Sequence, residues 1–261
     1  MLLRDALGLT RGEMVSLIGA GDKTTTMFRL AKELRDQAWK VLVTSTTKIV
    51  MPTKPHIDRL FLVDELQALI DVCGEILAPV IIGAGCGVNL EGELIGMPVA
   101  WLDRLNQVAT FDAILVQADG AASRLLEIPT NGETLIPQSC QTTLWIVAVK
   151  VLGKPLFEAW VYGSARARDL LGLPADASVS EDILIQLLQH RDGCLKGIPS
   201  GSRKIAIINQ VDSPAEMAAA QALGDKLQSQ GFDRVVIASY ASAEPVIHGI
   251  GPLELNIDET R

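Results

Sequence analysis

Ser16-Leu17-Ile18-Gly19-Ala20-Gly21-Asp22-Lys23-Thr24-Thr25-Thr26 is the stretch on which the reading of the fold turns. A strand-length apolar run ends here in two glycines, a lysine and a row of hydroxyls. From Met27 onward the pattern changes: Leu30, Ala31, Leu34 and Ala38 recur at helical spacing, while Arg29, Lys32, Glu33, Arg35 and Asp36 take the other face. Strand, glycine turn, Lys-Thr and helix together form a layout suited to phosphate. Glycines let backbone N–H groups face an anion, Lys23 would pair with its outer oxygens, and the Thr24 or Thr25 hydroxyl would reach a bound magnesium. A plain turn, with Thr24 to Thr26 as a helix-capping cluster, is the competing reading.

The spacing departs from the usual P-loop, which would place glycine at positions 17 and 22, where this chain has Leu17 and Asp22. The shorter G-x-x-G-K-T-T form used by Mur-type ligases resembles Gly19 to Thr25 more closely, again with Asp22 in place of glycine. A carboxylate about 4 Å from a phosphate charge would repel it by about 4 kcal/mol at an effective dielectric near 20. That is about a thousandfold in affinity unless magnesium or a rotated side chain relieves it.

Around this stretch, apolar runs recur at Met14 to Ile18, Val41 to Val43, Leu60 to Val63, Val80 to Ile82, Ala113 to Val116, Leu144 to Val149, Ile205 to Ile208 and Val235 to Ala238. Most are continuous rather than alternating, which predicts strands covered on both faces. Amphipathic helices are predicted over Glu65 to Ile76, Val99 to Val108, Glu181 to Gln189 and Pro214 to Gln230, the last opened by Asp212, Ser213 and Pro214 as cap and first turn. The β, α, β alternation predicts an α/β fold with an open, mostly parallel three-layer sheet whose ligands lie at the carboxyl ends of the strands. Gly83 to Gly96 reads as a glycine-rich turn and a β-hairpin excursion, and 152–201 as a small helical insertion or subdomain within a single domain over 1–261.

The chain has 261 residues, a net charge of −8 and no basic run, which argues against nucleic acid or an anionic membrane as partner. No stretch reaches the ~18 apolar residues of a membrane span. Cys73, Cys86, Cys140 and Cys194 stand singly, and His56, His190 and His248 form no ligand pair. Neither a zinc nor a haem site is expected, and the location expected is a reducing cytoplasm. Cys86, between Gly85 and Gly87, is a candidate reactive thiol, although a buried cysteine is the commoner case.

Four further segments carry chemistry: Val43-Thr44-Ser45-Thr46-Thr47-Lys48-Ile49, Gln117-Ala118-Asp119-Gly120-Ala121, Pro129 through Glu133 to Pro137, and Ile208-Asn209-Gln210-Val211-Asp212. Thr46, Thr47 and Lys48 follow a buried strand, where they can meet phosphate or metal, a solvated β–α turn being the competing reading. Asp119 follows another strand as an acid that would hold magnesium, or as a turn cap. Asn209 and Asp212 match the guanine-reading N-K-x-D pattern, while Asp212 as a helix cap fits equally. With Gly19 to Thr25, these segments resemble the YqeC family in order and over most of the chain.

That resemblance implies a P-loop NTPase-like fold, a nucleotide site taking Mg-ATP or Mg-GTP, and an accessory role toward selenium-dependent molybdenum hydroxylases or the proteins that deliver their cofactor. It implies Gly19, Gly21, Asp22, Lys23, Thr24, Thr25, Thr46, Thr47, Lys48, Asn209 and Asp212 as nucleotide or phosphate contacts, Thr24 and Asp119 as magnesium contacts, and Asp119 with Gln117 at the catalytic position. Five residues depart from the family pattern: Asp22 for glycine, Gln117 for glutamate, Glu127 for lysine, Thr134 for proline and Gln210 for lysine. An amide at 117 supplies no carboxylate for magnesium or for a water nucleophile. The chain is therefore expected to be a divergent member with weak or lost NTP turnover. A scaffold that has lost nucleotide binding and a Mur-like ATP-dependent ligase are the alternatives.

Overall fold

The computed structural model describes residues 1–120, 124–130 and 135–252. The strands are β1 (Glu13–Gly19), β2 (Lys40–Ser45), β3 (Lys48–Val50), β4 (Arg59–Leu62), β5 (Val80–Gly85), β6 (Gly87–Val88) and β7 (Glu93–Ile95). They continue with β8 (Ala113–Gln117), β9 (Leu126–Glu127), β10 (Thr142–Ala148), β11 (Val161–Tyr162), β12 (Arg203–Asn209), β13 (Arg234–Ala238) and β14 (Val246–Ile250). The helices are α1 (Leu3–Leu7), α2 (Lys23–Arg35), α3 (Leu66–Gly74), α4 (Val99–Val108), α5 (Ser164–Leu171), α6 (Glu181–Gln189) and α7 (Pro214–Gln228).

Nine strands make one sheet in the order β14-β13-β12-β10-β1-β8-β2-β5-β4, parallel throughout except for β14 against β13. All eight expected strands are present. Their continuous apolar character has a clear cause in the burial pattern. Successive side chains of a strand point to opposite faces. Thus Val15 and Leu17 of β1 join one hydrophobic cluster, with Met27, Leu30 and Leu34 of α2. Met14 and Ile18 join another, with Leu69 of α3, Leu102 of α4, Leu187 of α6 and Leu223 of α7. Two helical layers bury two faces, so Met14 to Ile18 is apolar on both sides but for the small, buried Ser16.

The glycine-rich stretch forms the expected hairpin, β6 against β7, and β3 pairs antiparallel with β7 to complete a small second sheet. Residues 152–201 carry α5 and α6, whose Ala167, Leu184 and Leu187 pack into the same cluster as the central strands. Helix α2 begins at Lys23 and ends at Arg35, earlier at both ends than the apolar spacing predicts. Ser213 caps α7, accepting from the Glu216 N–H at 3.3 Å, while the Glu216 carboxylate accepts from the Asp212 N–H at 2.8 Å. Among the described residues, no helix is long and apolar enough to cross a membrane.

Candidate functional site

Parallel strands that all run the same way gather their carboxyl ends on one edge, and the loops leaving β1, β2, β8, β10, β12 and β13 meet there. The loop after β1 turns on Gly19 and Gly21, at φ +90° and +84°. Neither position accepts a side chain. A Cβ on Gly19 would stand 2.3 Å from the Ile146 carbonyl oxygen, and one on Gly21 would stand 2.9 Å from both the Ala148 nitrogen and Asn209 Oδ1.

Asp22 sits in the left-handed region at φ 53°, ψ 31°, the backbone conformation in which glycine would be unstrained. Its carboxylate does not point at the loop unaccompanied: Gln210 Nε2 donates to Asp22 Oδ2 at 3.0 Å. Gln210 is itself left-handed, at φ 58°. The two departures from the family pattern, 188 residues apart, therefore contact one another.

Lys23 is buried at the first position of α2. Its ammonium lies 2.6 Å from Asp119 Oδ1 and 3.3 Å from Glu127 Oε2, and it donates to the Gly19 carbonyl oxygen. The Gly19 N–H donates to Asp119 Oδ2 at 2.5 Å. Asp119 and Glu127 are each 1% exposed. Burial raises both carboxyls above the usual range, against the pull of the Lys23 ammonium, and Asp119 raises Glu127 further, to about 9. Two buried carboxyls around one cation titrate as a coupled pair and share a proton. The Lys23 ammonium loses by burial but gains more from Asp119 and Glu127, so it is held above its ordinary value.

The Thr24 hydroxyl donates to Gln117 Oε1 at 2.9 Å. The hydroxyl run after β2 divides by role. Thr44 donates to the Ala84 carbonyl at 2.8 Å and Ser45 to the Gln117 carbonyl at 2.8 Å, both structural contacts between strands. Thr47 donates to the Asp119 carbonyl at 3.1 Å and so holds the acid's backbone, Thr46 Oγ1 is buried without a partner among the described residues, and Lys48 is exposed at the start of β3. Thr25 is exposed on the first turn of α2. It borders a groove of 780 Å³ walled by the stacked rings of Phe28 and His56 and by Arg29 and Lys54.

The end of β12 is tied to the loop between β1 and α2: Asn209 is fully buried and its Nδ2 donates to the Gly21 carbonyl at 2.5 Å. Asp212 accepts from Ser239 Oγ at 2.7 Å through Oδ1 and pairs with Lys150 Nζ at 2.7 Å through Oδ2, partners that hold its carboxyl below the usual range. It is part of α7's opening turn without being the cap, since Ser213 takes that role. Lys150, Glu216 and Trp160 line a cleft of 590 Å³ beside it.

The structure thus brings Gly19, Gly21, Asp22, Lys23, Thr24, Gln117, Asp119 and Asn209 to one place, with Thr46, Thr47 and Asp212 on its borders and Lys48 farthest out toward solvent. Thr134 and Ala121 lie outside the described residues. The sequence reading did not foresee that Glu127 reaches Lys23, or that Lys150 and Ser239 hold Asp212. The replacement of lysine by glutamate at 127 was the available signal for the first; no local pattern marked the others. Burial pushes the Cys86 thiol up, opposite to what a reactive thiolate needs.

Comparison with known proteins agrees with the motifs. The model of the YqeC protein family matches residues 15–165. The YqeC protein of Escherichia coli (strain K12) is 30% identical over 211 residues, covering 81% of this chain and 80% of its own. Among solved structures, chloroplast FtsY from Physcomitrella patens is similar over 88% of this chain and 60% of that one, at 18% identity and a TM-score of 0.43. The chain belongs to the YqeC family.

Proposed function

We propose that the chain is a nucleotide-binding accessory protein with little or no hydrolysis of its own, taking Mg-ATP or Mg-GTP at the loop between β1 and α2. The observation that carries this reading is the bond from Asn209 to the Gly21 carbonyl. It joins the loop that bears Lys23 and Thr24 to the strand end that bears Asp212, so the residues suited to phosphate and to a base form one continuous edge. The residues present fit the group. Lys23 and the α2 N-terminus would face phosphate, Thr24 and Asp119 would hold the magnesium, and the cleft beside Asp212 has room for a ring. Bound magnesium would neutralise phosphate charge. Gln117 orients the Thr24 hydroxyl but cannot take a proton, which is why slow turnover or none is proposed.

The cellular role proposed is maturation of a molybdenum hydroxylase or delivery of its cofactor, in the cytoplasm; family membership and the resemblance above support it. Asn209 and Asp212 favour GTP over ATP, with Lys150 leaving Asp212 when a base arrives.

Thermal shift with each nucleotide and magnesium tests the binding claim, because a ligand that binds only the folded state raises the Tm in proportion to RT ln(1 + [L]/Kd). A rise of several degrees at millimolar nucleotide is expected for the wild type and for Asp22→Gly alike. A rise only in Asp22→Gly would favour the scaffold reading, and no rise in either would remove the nucleotide reading.

A further inference from the structure

Glu127 supplies what Gln117 cannot. It is 1% exposed, its Oε2 is 3.3 Å from Lys23 Nζ, and its buried Oε1 has no donor among the described residues beyond the proton shared with Asp119. Asp119 Oδ1 faces the same ammonium at 2.6 Å as an ion pair rather than a directed hydrogen bond. Backbone on both sides fixes the Glu127 position, since the Leu125 N–H donates to the Trp160 carbonyl and the Ile128 N–H to the Tyr162 carbonyl, both at 2.9 Å.

Two buried carboxylates thus converge on one ammonium. A phosphate arriving at the loop draws Lys23 toward itself, and the carboxylates it leaves behind then face each other in a site of low dielectric. A divalent cation would meet both demands: it would displace the proton that the pair shares, releasing it to solvent, and balance the two carboxylates, with phosphate oxygens in its shell. Magnesium is commonly held by one or two carboxylates, with water and phosphate oxygens completing its shell. Among the described residues no group of three or more His, Cys, Asp or Glu is placed to hold a metal, so while Lys23 occupies the pair a cation would need phosphate both to draw the ammonium away and to complete its shell.

We propose that Glu127 and Asp119 form a two-carboxylate site for a divalent cation that enters with phosphate, and that Lys23 is the cation that holds the pair together until then. Glu127 takes the place of the carboxylate that position 117 lacks. This rests on the phosphate reading of the loop for the cation's natural setting, but the carboxylate pair can be tested without any nucleotide.

Manganese(II) is the probe, followed on the full chain by the electron paramagnetic resonance of the free ion. Lys23→Met removes the ammonium and is expected to bind manganese at least tenfold more tightly than wild type with no nucleotide present; Lys23→Met with Glu127→Gln should lose that gain. In the wild type, ADP should tighten manganese binding tenfold or more, and Glu127→Gln should reduce that effect to less than threefold. Equal manganese binding by Lys23→Met and the double variant overturns the proposal even where ADP binds. A Glu127-dependent site in Lys23→Met, with no response to ADP in the wild type, supports the carboxylate pair and counts against the nucleotide reading. Should Lys23→Met fail to fold, the ADP comparison between wild type and Glu127→Gln decides: loss of the effect supports the site, and its persistence overturns it.

Discussion

Asp22 and Glu127 each place a carboxylate at the loop between β1 and α2 where the family pattern has none, yet the two lie in opposite environments. Asp22 is exposed on the loop's outer turn and is answered by one neutral partner, the Gln210 amide at 3.0 Å. Glu127 is buried beneath the loop and is answered by the Lys23 ammonium, which it shares with Asp119. In sequence, Asp22 is the more disruptive change because it adjoins the lysine. In three dimensions the order reverses. Water screens an exposed carboxylate, whereas a buried one must be paired or protonated.

The largest effect that can break this contrast comes from removing the shared cation. Lys23→Met leaves two buried carboxyls without a counter-charge, and is expected to destabilise the fold by about 3 kcal/mol in urea denaturation near pH 8, the scale for breaking a buried ion pair. A cost no larger than that of a surface lysine would show that the cluster is open to water.

Gly19→Ala tests the loop backbone rather than its charges. Its Cβ would meet the Ile146 carbonyl oxygen at 2.3 Å, and φ is +90°. A loss of about 2 kcal/mol is expected from strain and displaced backbone. Asn209→Ala should cost about 1–2 kcal/mol by leaving the Gly21 carbonyl without its buried donor.

Glu127 also makes a signed pH prediction. Its pKa rises from 4.5 to about 9 on folding, so the folded state binds the extra proton between these values. Its contribution to stability is full below pH 4.5 and is lost as pH rises toward 9. Relative to Glu127→Gln, the wild type should therefore lose Tm steadily from pH 5 to pH 9 and level off above. A difference that does not change with pH would mean that Glu127 is ionised throughout.

The smallest effect belongs to the exposed side of the contrast. Asp22→Gly relieves a left-handed backbone but gives up the Gln210 contact, and should shift stability by less than about 1 kcal/mol.

Much of this architecture was legible because the central strands bury both faces, and an uninterrupted run such as Leu144 to Val149 admits few other readings. Elements without that burial were not legible. Helix α1 is five residues long, and β14 interrupts its apolar residues with His248 and Gly249 and is largely solvent-facing. At the site, a contiguous motif revealed Gly19 to Thr25, and the strand before Asp119 revealed the acid. What stayed hidden were contacts made across the sheet edge. Lys23 meets Glu127 across 104 positions and Lys150 meets Asp212 across 62, and no local pattern encodes which loops converge. The departures from the family pattern did mark the right residues. Only the fold shows that each of the described ones touches the loop or another departure.

Calorimetric titration with Mg-GTP and Mg-ATP of the wild type, Asp22→Gly and Glu127→Gln, side by side, tests most directly the claim that burial, not adjacency to the lysine, decides which departure matters. Micromolar binding by the wild type, a change of less than threefold in Asp22→Gly and at least tenfold weaker binding in Glu127→Gln are expected. A silent wild type restored by Asp22→Gly, or a Glu127→Gln protein that binds as the wild type does, would contradict it.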